Sequence, residues 1–475
     1  MAEFHRSIII TRIIKYEVSF SIANNFSSLF DSSTVSSNSY DPLPFSNEVF
    51  DLENLETFSS KEIEEICKWI NANETEENSC LYLEYIKNSI ILPTEEMELD
   101  NQLSLLHLFR AYGEAMENGH KELAKVIVMS LNEKSNPMGS TMERVAYNLF
   151  KSKEHQSEYL RQESINNFIT ALKVVYQSLP LGRFAHLTAN SAILESMPND
   201  METLHVIDCH IGEGIQWPPL MEALSQKQKG LKLTSIKYGE ENPSLRWEFE
   251  ETKKRLQCHA KQCGPKFEIE ERSTKDLAHS NYDLAYEVMG TKKNGQGKEW
   301  LVFKCMVGLP HMGRRRARSS VKEFLRIAKE LLANFEGILV FGNGEAGVSL
   351  DNSSCGFTSF LDQLVTQYGA IFESLERNFP VFLSEARTAI ESLFLGPFLC
   401  PIAWSEGWKE MRRRCNLEGE TGLEGPKLSQ ESLAEAKEIV NEGENLYNVK
   451  IEGLREHEMV LQWKETPLIR ISTWM

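Results

Sequence analysis

One short segment of this chain carries the residue types and spacing of a cofactor site. In LHVIDCHIGEGIQW, residues 204–217, an apolar run ends near Asp208 and is followed by Gly212 and Gly214. An acid at a strand tip, then glycines, lets a backbone approach a nucleotide-type cofactor over the strand's carboxyl end. The chemistry would be that of S-adenosylmethionine, whose first binding motif wants glycines at the second, fourth and sixth positions after the acid. Here the fourth and sixth are Gly212 and Gly214, but the second is His210. An imidazole there occupies space that the cofactor's amino-acid part needs. Three readings stay open: glycines that serve only the strand-to-helix turn, a cleft that retains a small ligand, and catalysis. The first is preferred, which makes Asp208, His210, Gly212 and Gly214 a degenerate site.

A second requirement is an acid at the tip of the next strand, to hold ribose hydroxyls. The run 231–238 ends in Lys237, Tyr238 and Gly239, with Glu240 and Glu241 just beyond. The acid is near but misplaced. No catalytic residue and no bound cofactor are therefore expected.

The other constellations are weaker. Cys258 and His259 with Cys263 and His279 match no common zinc spacing and read as a solvated helix end, so no metal is expected. Neither a Gly-x-Ser-x-Gly elbow nor a Walker loop occurs. His311, in GLPHM, follows a strand and could face the same cleft; packing within its loop is the simpler reading. Arg314, Arg315, Arg316 and Arg318 precede a helix, and Arg412, Arg413 and Arg414 end another. The first cluster could contact DNA phosphates or serve as an import signal. A solvated loop is the plain alternative, and the second cluster suits the negative end of a helix dipole.

The elements that must position these residues follow from periodicity. Residues 98–198 form a helical block in which Leu103, Leu106, Leu108, Tyr112 and Met116 recur near helical spacing. From 199 onward apolar strands alternate with helices: 203–209, 231–238, 266–271, 282–288, 299–305 and 337–342. That alternation predicts an α/β fold with a mainly parallel, Rossmann-like (methyltransferase-like) sheet and right-handed crossovers. HEMVLQW and PLIRISTW are joined by three residues, so they must pair as an antiparallel C-terminal hairpin. The expected organisation is a variable arm over 1–97, a helical cap over 98–198 and the Rossmann-like core with its hairpin over 199–475.

Composition narrows the function. The chain has 475 residues and a formal net charge of −18, so a broad basic face for autonomous DNA binding is disfavoured. Nine cysteines, scattered without a Cys-x-x-Cys pair, suit a reducing compartment. Arg12 and Lys15 interrupt the isoleucines near the N-terminus, and no secretory signal is expected. No run of about 18 apolar residues suggests a membrane span.

Several blocks, in order, resemble a known family. LHVIDCHIGEGIQWPPLMEAL, the leucine-rich stretches at 103–178 and 320–335, FLDQLVTQYGAIFESLE, SEARTAIESLF and LQWKETPLIRISTWM together resemble the GRAS domain of plant transcriptional regulators over about four-fifths of the chain. FAHLTANSAILE, CMVGLPHMGRRRAR and EMVLQW resemble the family's nodulation-signalling branch. The resemblance implies a nuclear regulator of nodulation and mycorrhizal signalling. It also implies homo- or heterodimers with other GRAS-domain proteins, and DNA contact made partly through the partner. Where the family commonly has Asp-Phe-Asp, this chain has Asp208-Cys209-His210, so the second acid is gone. The cap helices 103–116 and 121–131 offer candidate apolar faces for dimerisation. The alternatives are a methyltransferase-like enzyme using S-adenosylmethionine and a pure adaptor.

Overall fold

A computed structural model describes residues 95–150, 168–237, 249–264, 266–273, 298–312, 318–346, 356–379, 383–412, 425–453 and 455–475. The strand expected at 282–288 lies outside them, as does nearly all of the arm 1–97. The first helices are α1 (Glu95–Glu117), α2 (Lys121–Lys134), α3 (Thr141–Phe150), α4 (Phe168–Ser178) and α5 (Pro180–Ser196). The core continues with β1 (Thr203–Asp208), α6 (Trp217–Gln226), β2 (Gly230–Lys237), α7 (Phe249–Cys263), β3 (Phe267–Ser273) and β4 (Glu299–Val307). Then come α8 (Arg318–Leu332), β5 (Gly337–Asn343), α9 (Phe357–Asn378), α10 (Ser384–Ile390), α11 (Gly396–Leu399), α12 (Pro401–Arg412) and α13 (Gln430–Ile439). The last strands are β6 (Tyr447–Glu452), β7 (Glu458–Trp463) and β8 (Thr466–Trp474).

These eight strands form one sheet in the order β3-β2-β1-β4-β5-β8-β7-β6. The first five are parallel and the last three antiparallel. The parallel strands read as continuous apolar runs because both faces are covered. Val302 and Met306 of β4 pack with the helices on one face, while Leu301, Phe303 and Cys305 pack with Val321, Phe324 and Ala328 of α8 on the other. The expected hairpin is β7–β8. Sequence reading missed β6, which pairs antiparallel with β7 and forms the sheet's edge among the described residues. Its alternation of buried Val449 with exposed Lys450 is short and charged, as suits an edge strand.

The helical layer draws on distant parts of the chain. Trp404 of α12 donates its indole N–H to the Leu149 carbonyl of α3 at 3.2 Å. Its ring also packs edge-on against Tyr112 of α1 and tilted against Phe357 of α9. The segment Ala386–Lys409 is long and apolar enough, by composition alone, to cross a membrane, but half of it is buried inside the protein. A π-helical turn at Glu391–Leu395 and an extended Cys400 interrupt it, and Arg387 and Glu391 are charged groups in its first half. It packs within the helical layer.

Candidate functional site

The glycine turn sits where the sequence places it, between β1 and α6. Gly212 and Gly214 have φ of +55° and +71°, a region that side chains rarely adopt. At Gly214 space adds to the requirement, since a Cβ would lie 3.0 Å from Thr252 and 3.1 Å from Leu256 of α7. At Gly212 a Cβ would have room, so only the backbone angle asks for glycine. Pro218 and Pro219 fill the first turn of α6, where missing N–H groups cost little, and Trp217 is fully buried.

Several of the turn's polar groups are answered by the protein itself. The Thr252 hydroxyl donates to the Gly212 carbonyl at 2.9 Å. Arg255 pairs with the Glu213 carboxylate, whose pKa burial raises even so. Asn190 of α5 and Gln216 exchange two bonds, at 3.0 and 2.9 Å. These bonds hold the turn against α5 and α7, while Gln216 Oε1 and Trp217 Nε1 are buried without a hydrogen-bond partner.

The acid at the strand tip is answered too. Asp208 is 1% exposed. One of its oxygens accepts from the His210 backbone N–H at 3.0 Å, and the other accepts from Lys304 Nζ at 3.2 Å. Lys304 is register partner to Asp208 on the neighbouring parallel strand, so both side chains stand on one face of the sheet. The ammonium also lies 5.0 Å from the centre of the Trp217 ring, a cation–π distance. Sequence reading missed Lys304. A lone lysine in the apolar run LVFKCMV was the available signal, because a buried cation needs a partner.

What remains is a cleft of about 440 Å³, its open mouth included, lined by His210, His186, Glu213, Lys304, Met306 and Met312 among others. His186 Nδ1 lies 3.0 Å from the Tyr176 hydroxyl. The structure thus brings His210, Gly212 and Gly214 to one cleft, with Asp208 sealed beneath it by Lys304. Glu240 and Glu241 lie outside the described residues. His311 is in a short 3₁₀ turn, Pro310–Met312, and its side chain is outside them. Arg314, Arg315, Arg316, Arg413 and Arg414 also fall outside; Arg318 opens α8 and Arg412 closes α12, with side chains not described.

The expected solvated helix end at Cys258 and His259 is corrected in part. Cys258 is exposed, but His259 is fully buried against α6. His279 lies outside the described residues.

The cap helices carry apolar residues on more than one face. In α1 the buried stripe is Leu105, Phe109 and Tyr112, whereas Leu103, Leu106 and Met116 are exposed. In α2 Ala124, Ile127 and Leu131 face inward, while Leu123, Val126 and Met129 are 52%, 58% and 63% exposed. Scattered single exposures are ordinary, whereas these three recur along one short helix.

A buried charge cluster locks α3 to later helices. Arg144, wholly buried, donates to Glu391 at 2.9 Å, to Glu376 at 3.1 Å and to the Gly139 and Phe372 carbonyls. Arg387 approaches Glu376 to 3.6 Å and Glu391 to 3.8 Å. Burial pushes the Glu391 carboxyl up to about 7 against the pull of both arginines, and burial lowers the pKa of Arg387.

Comparison with known proteins agrees with this geometry. The GRAS domain family matches residues 105–475. The chain is 30% identical to the Medicago truncatula protein Nodulation Signaling Pathway 2, over 81% of this chain and 78% of that one. It is 28% identical to Scarecrow-like protein 26 of Arabidopsis thaliana, over 78% of each. Among solved structures, that of SCL7 from Oryza sativa superposes with a TM-score of 0.57 at 23% identity, covering 79% of this chain and 99% of that one, which shows the shared fold. This chain belongs to the GRAS domain family.

Proposed function

We propose that the protein is a nuclear transcriptional regulator of nodulation and mycorrhizal symbiosis signalling, acting through homo- or heterodimers with other GRAS-domain proteins. The observation that carries the non-enzymatic part is the Asp208–Lys304 pair. The acid that would face a cofactor's amino group already holds an internal ammonium, so the cleft reads as scaffold. The likeness to Nodulation Signaling Pathway 2 supports the signalling role. The exposed apolar stripes of α1 and α2 support association through the cap, residues 98–198, which we extend to include the packed segment 384–412. The core is 199–475 less that segment. The net charge of −18 favours DNA contact made with a partner's help, with Arg314, Arg315, Arg316 and Arg318 as candidate DNA or import contacts.

A reporter assay in plant nuclei, with and without a GRAS-domain partner, tests this reading. Activation that depends on the partner is expected; a cytosolic protein with no effect on transcription would overturn it. The second reading, a methyltransferase-like enzyme, rests on the positive-φ glycines under a Rossmann-like sheet. Calorimetry with S-adenosylmethionine separates the two: saturable micromolar binding, lost in Gly212→Trp, would revive the enzyme.

A further inference from the structure

Three metal-ligating side chains converge between α6 and α7, apart from the cleft. His259 Nε2 lies 3.2 Å from Cys263 Sγ and 3.8 Å from a Glu222 carboxylate oxygen. All three donor atoms fall within 4.8 Å of one another. His259 and Cys263 are four residues apart on α7 and so share a face. Glu222 comes from α6, and the Ser225 hydroxyl on the next turn donates to the Cys263 carbonyl at 2.6 Å, tying the two helices together.

A tetrahedral zinc ion with bonds of about 2.3 Å to sulfur and about 2.0 Å to nitrogen or oxygen places its donors roughly 3.5 Å apart. The two His259 distances bracket that value, and the Glu222–Cys263 separation lies within 4.8 Å. A thiol–imidazole hydrogen bond accounts for the shorter one alone. It does not explain why a carboxylate closes on the same nitrogen, since three electron-rich atoms meet cheaply only around a shared cation or proton.

We propose that Glu222, His259 and Cys263 form a zinc site with a fourth position open. Nitrogen, sulfur and carboxylate donors together are the set zinc prefers over calcium or magnesium. The site would clamp α6 to α7. Through Thr252 and Arg255 of α7 it would also hold the Gly212 and Glu213 carbonyls of the glycine turn. Sequence spacing hid it, because Glu222 belongs to another helix.

The test uses the purified full chain, stripped of metal and titrated with zinc or with cobalt as a spectroscopic stand-in. One zinc per chain is expected, together with a thiolate-to-cobalt charge-transfer band and a raised thermal midpoint. Cys263→Ser should abolish the band and weaken zinc binding roughly tenfold or more. Glu222→Gln should weaken binding and leave the band. Cys258→Ser, at an exposed neighbouring position, should change neither. No uptake by the wild-type chain, or uptake indifferent to Cys263→Ser, overturns the proposal. If Cys263→Ser fails to fold, the wild-type cobalt spectrum decides: a bound metal without a thiolate band is equally fatal.

Discussion

Two buried charge sites in this molecule look alike and are built differently. Asp208 and Lys304 face each other across adjacent strands in register, so pairing β1 with β4 is enough to bring them together. Arg144, Glu376, Arg387 and Glu391 come from α3, α9, α10 and the π turn, and meet only once the helical layer has closed on itself. The first pair joins neighbouring strands; the second cluster joins segments far apart in the chain. The floor of the cleft is thus closed by local pairing, while the helical layer is tied by non-local contacts. Buried pairs contribute little net stability compared with apolar isosteres, yet stripping one partner leaves a charge stranded.

Four measurements test whether the two sites differ in this way. The largest effect is expected for Arg144→Ala, which strands Glu391: a loss of about 3–5 kcal/mol in denaturant unfolding. A loss near zero would show that the cluster is not a lock. Lys304→Met should cost about 3 kcal/mol by the same logic, with part regained on adding Asp208→Asn. Failure of the second change to restore stability would mean that the lysine acts through Trp217 instead.

The third is a pH profile. The carboxyl of Glu391 has an ordinary value of 4.5 and is pushed up to about 7 by burial, so the folded state holds a proton that the unfolded state has released between those values. Its contribution is therefore largest below about pH 4.5 and is lost as pH rises through about 7. A tenfold change in proton affinity is worth roughly 1.4 kcal/mol, and Glu391 is too buried for solvent to screen it. Relative to Glu391→Gln, the wild type should therefore lose about 3 kcal/mol between pH 4.5 and 8. Parallel curves would place the carboxylate ionised throughout.

The smallest stability effect belongs to the cap surface. Val126→Asp with Met129→Asp should shift unfolding by less than about 0.5 kcal/mol, since both side chains are mainly exposed. Association with a GRAS-domain partner, measured by co-purification, should nonetheless fall about tenfold. Unchanged association would move the interface elsewhere.

Much of the fold was legible because its signals are local. The apolar runs at β1, β2, β4 and β5, the glycine turn and the short link before β8 each announce themselves within a dozen residues. The β6 strand was not legible, for Tyr447–Glu452 is short and carries two charges, Lys450 and Glu452. Within the site, Gly212 and Gly214 were found from spacing, but Lys304 required knowing that β4 lies beside β1. Arg144 with Glu391, and Glu222 with His259, could not be paired from sequence. Their partners are set by helix packing, which leaves no periodic trace. In α1 the apolar pattern was seen but not divided: Leu105 and Phe109 face the core, while Leu103 and Leu106 face solvent.

The sheet order has a consequence for how this chain is made. The β5 strand is finished at Asn343, yet its antiparallel neighbour does not begin until Thr466. While the ribosome synthesises everything between them, the open side of β5 offers unpaired N–H and C=O groups to any passing strand. The final segment then has to insert between β5 and β7, not add at a rim. A message that stops before Thr466 would therefore yield a sticky nascent chain that awaits a chaperone, rather than a shortened regulator.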